Sequence, residues 1–136
     1  MTKERLRNYQ TIKREREQLR HQLEEVEAAL YYPKIPRLDA TPGGGTPKET
    51  NPQEALAIHH IELLERYKAK MAELAEEQLT IETAIEPLEP TARMLLRYRY
   101  IDGLKWEEVC CRMNYSWRQV HRLHGDALSK LRGSDE

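Results

Sequence analysis

The chain contains no phenylalanine and only two cysteines, Cys110 and Cys111, which are neighbours. Adjacent cysteines lack the spacing of a disulfide framework, a zinc ribbon or a redox CxxC pair, so neither redox nor metal chemistry is expected of them. No stretch approaches the roughly 18 apolar residues that a membrane span requires. The opening run Met1-Thr2-Lys3-Glu4-Arg5-Leu6-Arg7 has no apolar segment to serve as a signal peptide. A soluble, cytoplasmic protein without a membrane partner is expected. Also missing are a nucleophile-base pair, a paired-acid constellation and a phosphate loop: the triplet Gly43-Gly44-Gly45 lies among prolines with no Lys-Ser or Lys-Thr after it. An enzyme is therefore not expected, and no cofactor is implied. The histidine pairs His59-His60 and His121 with His124 bring two imidazoles together without a third ligand, which is too few for a metal site.

What is present is helical periodicity. Hydrophobic residues make up 39% of the 136 residues and charged residues 33%, with a mean hydropathy of -0.84. That balance is too polar for a thick globular core and too rich in Leu, Ile and Ala for disorder. It suits long amphipathic helices. Between Thr2 and Tyr32 apolar residues recur at Tyr9, Ile12, Leu19, Leu23, Val26 and Leu30, in steps of three and four, with Arg16 in the one polar slot. Such a helix is roughly 45 Å long, and a stripe that narrow needs a partner helix.

Prolines 33, 36, 42 and 47 and the glycine triplet then break the pattern, so residues 33–51 are read as a flexible linker. Asn51-Pro52-Gln53-Glu54 supplies an N-cap, a proline at the first helical position and an acid at the third, a strong start signal. The second long helix, 52–87, carries the stripe Leu56, His60, Leu63, Tyr67, Met71, Leu74, Gln78, Ile81 and Ile85, and ends at Pro87. A flexible linker of about 18 residues reaches roughly 25 Å. The two stripes can therefore close into an antiparallel hairpin within one chain, or pair between chains as a homodimer.

From Leu88 the pattern shortens. Pro90 opens a helix carrying Ala92, Leu95, Leu96, Tyr100 and Ile101, and Asp102-Gly103 stops it. In the next segment Trp106, Val109, Cys110 and Met113 share one side, with Glu107 and Cys111 pointing away. Trp106, Tyr115 and Cys110 are read as packing residues. Asn114-Tyr115 makes a turn, and Ser116-Trp117-Arg118-Gln119 spells a capping box. On the last helix Val120, Leu123, Ala127, Leu128 and Leu131 face inward. Arg118, Arg122, Gly125 and Ser129 lie opposite, with Gln119 and His121 on the shoulders. Gly125 costs about 1 kcal/mol against alanine inside a helix, so close approach of a neighbouring element or of a DNA backbone is expected there.

A short helix, a tight turn and a capped helix with Arg and Gln on its first turns is a helix-turn-helix geometry, in which the second helix enters a major groove. Arg pairs bidentately with guanine O6 and N7, and Gln with adenine N6 and N7. Ser116, Arg112, Lys130 and Arg132 are placed for phosphates. The net charge of -1 does not oppose this, because the charge is segregated: Arg112 to Arg132 holds five Lys/Arg against one Asp, while Pro52 to Pro87 holds three against eight acids.

The runs Leu95-Leu96-Arg97-Tyr98-Arg99-Tyr100-Ile101-Asp102-Gly103, Trp106-Glu107-Glu108-Val109, Tyr115-Ser116-Trp117-Arg118-Gln119-Val120 and Ala127-Leu128-Ser129-Lys130-Leu131 resemble region four of bacterial sigma factors. With its coiled-coil-like front, the chain is similar to small phage-encoded regulators of the ArpU and RinA type. The resemblance covers about 45 residues closely and the front by architecture only. It implies a regulator of late phage genes in the cytoplasm of a bacterial host, contact with RNA polymerase, and promoter-reading positions at Trp117, Arg118, Gln119, His121 and Arg122. Two departures stand out: Lys105 occupies a slot where a Ser or Thr cap belongs, and nothing matches the sigma regions that bind core polymerase or melt promoters.

The expected fold is all-α: two long amphipathic, coiled-coil-like helices followed by a sigma region-four-like helix-turn-helix domain over 88–136. The expected function is sequence-specific binding of double-stranded DNA to regulate transcription, through Ser116, Trp117, Arg118, Gln119, His121, Arg122, Arg112, Lys130 and Arg132. The alternatives are a DNA-packaging protein similar to a small terminase subunit, and a sigma-like interaction module that binds polymerase.

Overall fold

The computed structural model describes residues 1–32 and 51–133. Among them the chain is all-helical, with five α-helices and no strand. The helices are α1 (Lys3–Tyr31), α2 (Pro52–Ile85), α3 (Pro90–Leu96), α4 (Trp106–Met113) and α5 (Trp117–Gly133), with a π-helical turn over Arg97–Ile101 between α3 and α4. None of the described helices is long and apolar enough to cross a membrane. The proline- and glycine-rich linker of 33–51 lies, save Asn51, outside the described residues. Asn51 caps α2: its Oδ1 accepts the Gln53 backbone N–H at 3.0 Å, satisfying one of the donors that a helix start leaves open.

The residues group into two compact units, Glu15–Met71 and Met1–Arg14 with Ala72–Glu136. In the first, a stretch of α1 and a stretch of α2 run antiparallel. Lys70 Nζ meets Glu15 at 2.8 Å, His60 Nε2 meets Glu27 at 3.1 Å, and the Gln53 amide donates to the Leu30 carbonyl at 3.2 Å, so partners rise in number on one helix as they fall on the other. The seam is narrow. Leu23 and Leu63 are buried, whereas Leu19, Val26, Leu30, Leu56 and Tyr67 are half-buried and Met71 is exposed. Arg16, the polar slot of the stripe, folds its guanidinium between Glu17 at 3.0 Å and the Met71 sulfur at 3.9 Å.

The second unit holds the core. Leu6, Tyr9 and Ile12 of α1 are buried with Leu74, Ile81 and Ile85 of α2, with Leu88, Ala92, Leu95, Leu96, Tyr100 and Ile101, and with Val109, Val120, Ala127, Leu128 and Leu131. Leu6, invisible to the stripe that begins at Tyr9, is fully buried. Arg97 clamps α2 through a forked pair with Glu82, its Nη2 lying 2.7 Å from the carboxylate. Arg93 donates to the carbonyls of Glu86 and Leu88 at 3.0 and 2.9 Å, closing the end of α2.

The π turn explains how α3 stops. The Asp102 N–H donates to the Arg97 carbonyl, five residues back, at 2.9 Å, and Gly103 follows at φ +72. The carbonyls that such an ending leaves open are taken by α1. The Gln10 amide donates to the carbonyls of Tyr100 and Ile101, the latter at 3.1 Å, and Lys13 Nζ donates to Ile101 at 2.8 Å. The left-handed backbone at residue 103 favours glycine, and a Cβ there, 2.7 Å from Gln10 Oε1, would push the Gln10 amide aside.

Candidate nucleic-acid interface

The direction of α5 is set by the turn that precedes it. Helix α4 follows Lys105, which is extended and offers no side-chain cap. It ends at Asn114 with φ 57. The Tyr115 N–H donates to Cys110 at 3.1 Å and the Asn114 N–H to Cys111 at 3.3 Å, the paired bonds of a Schellman ending. Asparagine is the non-glycine residue that tolerates this conformation best. Ser116 then starts α5 with a reciprocal box: the Gln119 N–H donates to Ser116 Oγ at 3.2 Å and the Ser116 N–H donates to Gln119 Oε1 at 2.9 Å.

The face this presents is polar and cationic. Trp117 is 53% exposed, and Arg118, Arg122 and Ser129 are exposed. Neither Arg118 nor Arg122 has an ion-pair or hydrogen-bond partner among the described residues. Helical periodicity puts Arg118, Arg122, Gly125, Ser129 and Arg132 on one face, and the opposite face buries Val120, His124, Ala127, Leu128 and Leu131. Arg112, exposed at the end of α4, lies with its guanidinium 5.9 Å from the Tyr98 ring. Lys130 and Arg132 occupy the last turn of α5, where positive charge also suits the helix dipole.

Two of the expected site residues, Gln119 and His121, make contacts within the protein that spacing alone does not give. Gln119 has its Oε1 engaged by the Ser116 N–H, so the side chain holds the helix start and is not free for a two-point contact with adenine. His121 is half-buried between two indoles, with ring centroids 4.7 Å from Trp106 and 4.4 Å from Trp117, which makes it a prop for Trp117. Its four-residue separation from Trp117 is the local signal for that contact. Gly125 has nothing within 4 Å of the position a Cβ would take, so no neighbouring element of the described residues accounts for it. Tyr115, read as a packing residue, is 38% exposed. Cys110 packs against the core as a half-buried side chain while Cys111 is exposed.

His124 belongs to the interior. Its Nε2 and the Tyr100 hydroxyl share a hydrogen bond of 2.6 Å, its ring stacks on Tyr100 and meets the edge of Trp106, and it is 6% exposed. Burial, with Lys3, His121, Arg99 and Arg7 adding positive charge, pushes its pKa down to about 4. Burial also raises the Tyr100 hydroxyl above its usual range. The pair is therefore neutral at pH 7, and the imidazole tautomer sets which partner donates.

Comparison with known protein families, with curated proteins and with solved structures finds no match to this chain. Among the described residues no group of three His, Cys, Asp or Glu side chains could hold a metal ion.

Proposed function

We propose that the protein is a sequence-specific regulator of transcription that binds double-stranded DNA, with α4, the Asn114–Ser116 turn and α5 serving as a helix-turn-helix. The observation that carries this reading is the exposed pair Arg118 and Arg122, unpartnered among the described residues, on the first turns of a helix whose start is closed by the Ser116 and Gln119 box. Residues so placed reach base edges when a helix enters the major groove.

Each side chain then has a task that fits its surroundings. Arg118 and Arg122 read guanine O6 and N7 as bidentate donors. Trp117, propped by His121, packs its exposed ring along the sugar-phosphate backbone. Ser116 accepts from Gln119 through its oxygen and keeps its hydroxyl proton for a phosphate. Arg112, Lys130 and Arg132 supply charge to phosphates, which positions the protein without selecting sequence. Gln119 serves as the cap. The resemblance to sigma region four and to the ArpU and RinA regulators adds two expectations, action on late phage genes in a bacterial cytoplasm and contact with RNA polymerase.

Selection from a randomised duplex pool tests the reading. The full-length protein should enrich a defined motif, and an inverted repeat within it would report a homodimer formed through the long helices. Arg118→Ala and Arg122→Ala should each cost about 1 to 3 kcal/mol on that motif and relax the preference at one position. Unchanged affinity and unchanged preference in both variants would overturn the proposal. Polymerase retained by the protein with no duplex bound would replace it with the interaction-module reading.

A further inference from the structure

The start of α1 and the π turn enclose a cavity of about 320 Å³ that no part of the helix-turn-helix reading uses. Arg7, Thr11 and Arg14 line it from α1, with Arg99 and Gly103 from the other side and Gln10 between. Three features suit it to an anion. First, its charge is uncompensated: Arg7 and Arg14 are exposed and have no ion-pair partner among the described residues, and none of the nearest carboxylates in sequence, Glu4, Glu15 and Asp102, lines the cavity. Secondly, the carbonyls of Tyr100 and Ile101, which would repel an anion at the end of the π turn, are already occupied by Gln10 and Lys13. Thirdly, the positive field reaches inward: Lys3, Arg7 and Arg99 all disfavour protonation of the buried His124.

The position of Arg99 indicates which anion. Its Nη1 donates to the Leu104 carbonyl at 2.9 Å, and its guanidinium lies 4.6 Å from the Trp106 ring centroid. Trp106 touches His121, and His121 touches Trp117 on the first turn of α5. A continuous row of rings thus leads from the cavity to the start of the proposed recognition helix. On α1, Lys3, Arg7 and Arg14 fall on one stripe of the helix, a row of cations rather than a single pocket.

We propose that this cavity and stripe bind the phosphate backbone of the duplex beside the segment read by α5, so that the start of α1 is a second, sequence-independent DNA contact. The inference rests on the DNA-binding reading, and salt dependence separates the two. Each phosphate contact steepens the fall of log Kobs with log salt by about 0.9.

Binding of the full-length protein to a mixed-sequence duplex, titrated between about 50 and 200 mM salt, should have a slope that becomes less negative by roughly 2 in Arg7→Gln/Arg14→Gln. The motif enriched from a randomised pool should stay the same. Arg7→Lys/Arg14→Lys, which keeps both charges, should restore the slope. Both positions are exposed, and an unchanged melting curve checks that the fold is kept. An unchanged slope in the glutamine variant, with Arg118 and Arg122 still required for preference, overturns this inference and leaves the function standing. A reduced slope, with preference indifferent to Arg118 and Arg122, keeps the inference and removes base reading by α5. A wild-type protein that binds no duplex at all overturns both.

Discussion

The two units use the same kind of sequence to different ends. In Glu15–Met71, two helices with apolar residues every three or four positions bury only Leu23 and Leu63 among the described residues and hold their register with exposed or half-exposed pairs such as Lys70 with Glu15. In Met1–Arg14 with Ala72–Glu136, equally short apolar stripes meet three further helices, and Leu6, Ile81, Ile85, Leu95, Leu96, Val109, Val120 and Leu131 are all sealed from solvent. The difference teaches that a stripe's periodicity sets a helix but not the depth of its burial. Surface ion pairs contribute about 0 to 1 kcal/mol each, whereas a sealed leucine contributes several times that, so the second unit should be the stable one.

Truncation in each unit is the strongest way to break that comparison. Leu96→Ala should cost about 3 to 5 kcal/mol, because its surroundings are fully packed and a cavity would remain. Leu23→Ala should cost about 2 kcal/mol, since a two-helix seam can close on the gap. Both tryptophans, Trp106 and Trp117, lie in the second unit, so indole fluorescence in denaturant follows that unit. Hydrogen exchange follows the other. Leu23→Ala should accelerate exchange in Glu15–Met71 and leave the fluorescence transition near its original midpoint; a large shift of that midpoint would show that the two units unfold as one.

A buried titratable group sharpens the contrast next. The neutral form of His124 is favoured in the folded state, with its pKa near 4 against an ordinary 6.5. Above pH 6.5 both folded and unfolded chains carry it neutral and nothing is lost. Between pH 6.5 and 4 the unfolded chain takes up a proton that the folded chain refuses, so stability falls with pH across that window by roughly 3 kcal/mol. Denaturation at pH 7 and pH 4.5 should show the loss in wild type and a clearly smaller one in His124→Gln. Equal losses in the two proteins would mean that carboxylates, not His124, govern acid unfolding.

The sequence announced much of this fold and less of the site. Local signals were legible: the Asn51 cap, the Asp102-Gly103 stop and the Ser116 and Gln119 box all depend on residues within a few positions of one another. The outward placement of Arg118 and Arg122 followed from helical spacing in the same way. Long-range contacts left no such mark. Gln10 and Lys13 donate to carbonyls about ninety residues away, and nothing in α1 alone distinguishes its first four turns from its last four. The setting of His121 was only half legible: spacing assigns it to a shoulder of the helix beside Trp117, while the second indole against it, Trp106, comes from another helix.

A smaller effect tests the closure of the proposed recognition helix. Ser116→Ala removes the oxygen that accepts the Gln119 N–H and should cost about 1 kcal/mol, read as a lower midpoint in the fluorescence transition. With the box open, Gln119 loses its tether. If α5 reads DNA from a fixed start, the same variant should lose affinity for the selected motif more than for a mixed duplex. A uniform loss on both would assign Ser116 to phosphate contact alone.

Gly125 gives the smallest effect and the one that links stability to function most directly. It lies on the exposed face between Arg122 and Ser129, it is helical, and a methyl group there meets open space. Alanine should therefore stabilise the helix by up to about 1 kcal/mol, since the glycine loses more backbone freedom on folding and gains no contact for it. A residue that weakens a helix without packing against anything in the protein is explained if something outside the protein comes close to it. On the proposed docking, that is the DNA backbone alongside α5. Gly125→Ala should then raise the thermal midpoint and lower duplex affinity at once, with a bulkier Gly125→Leu lowering affinity further at unchanged fold. A rise in stability with no loss of affinity in either variant would remove Gly125 from the interface and turn the docked helix so that Arg118 and the first turn approach DNA alone.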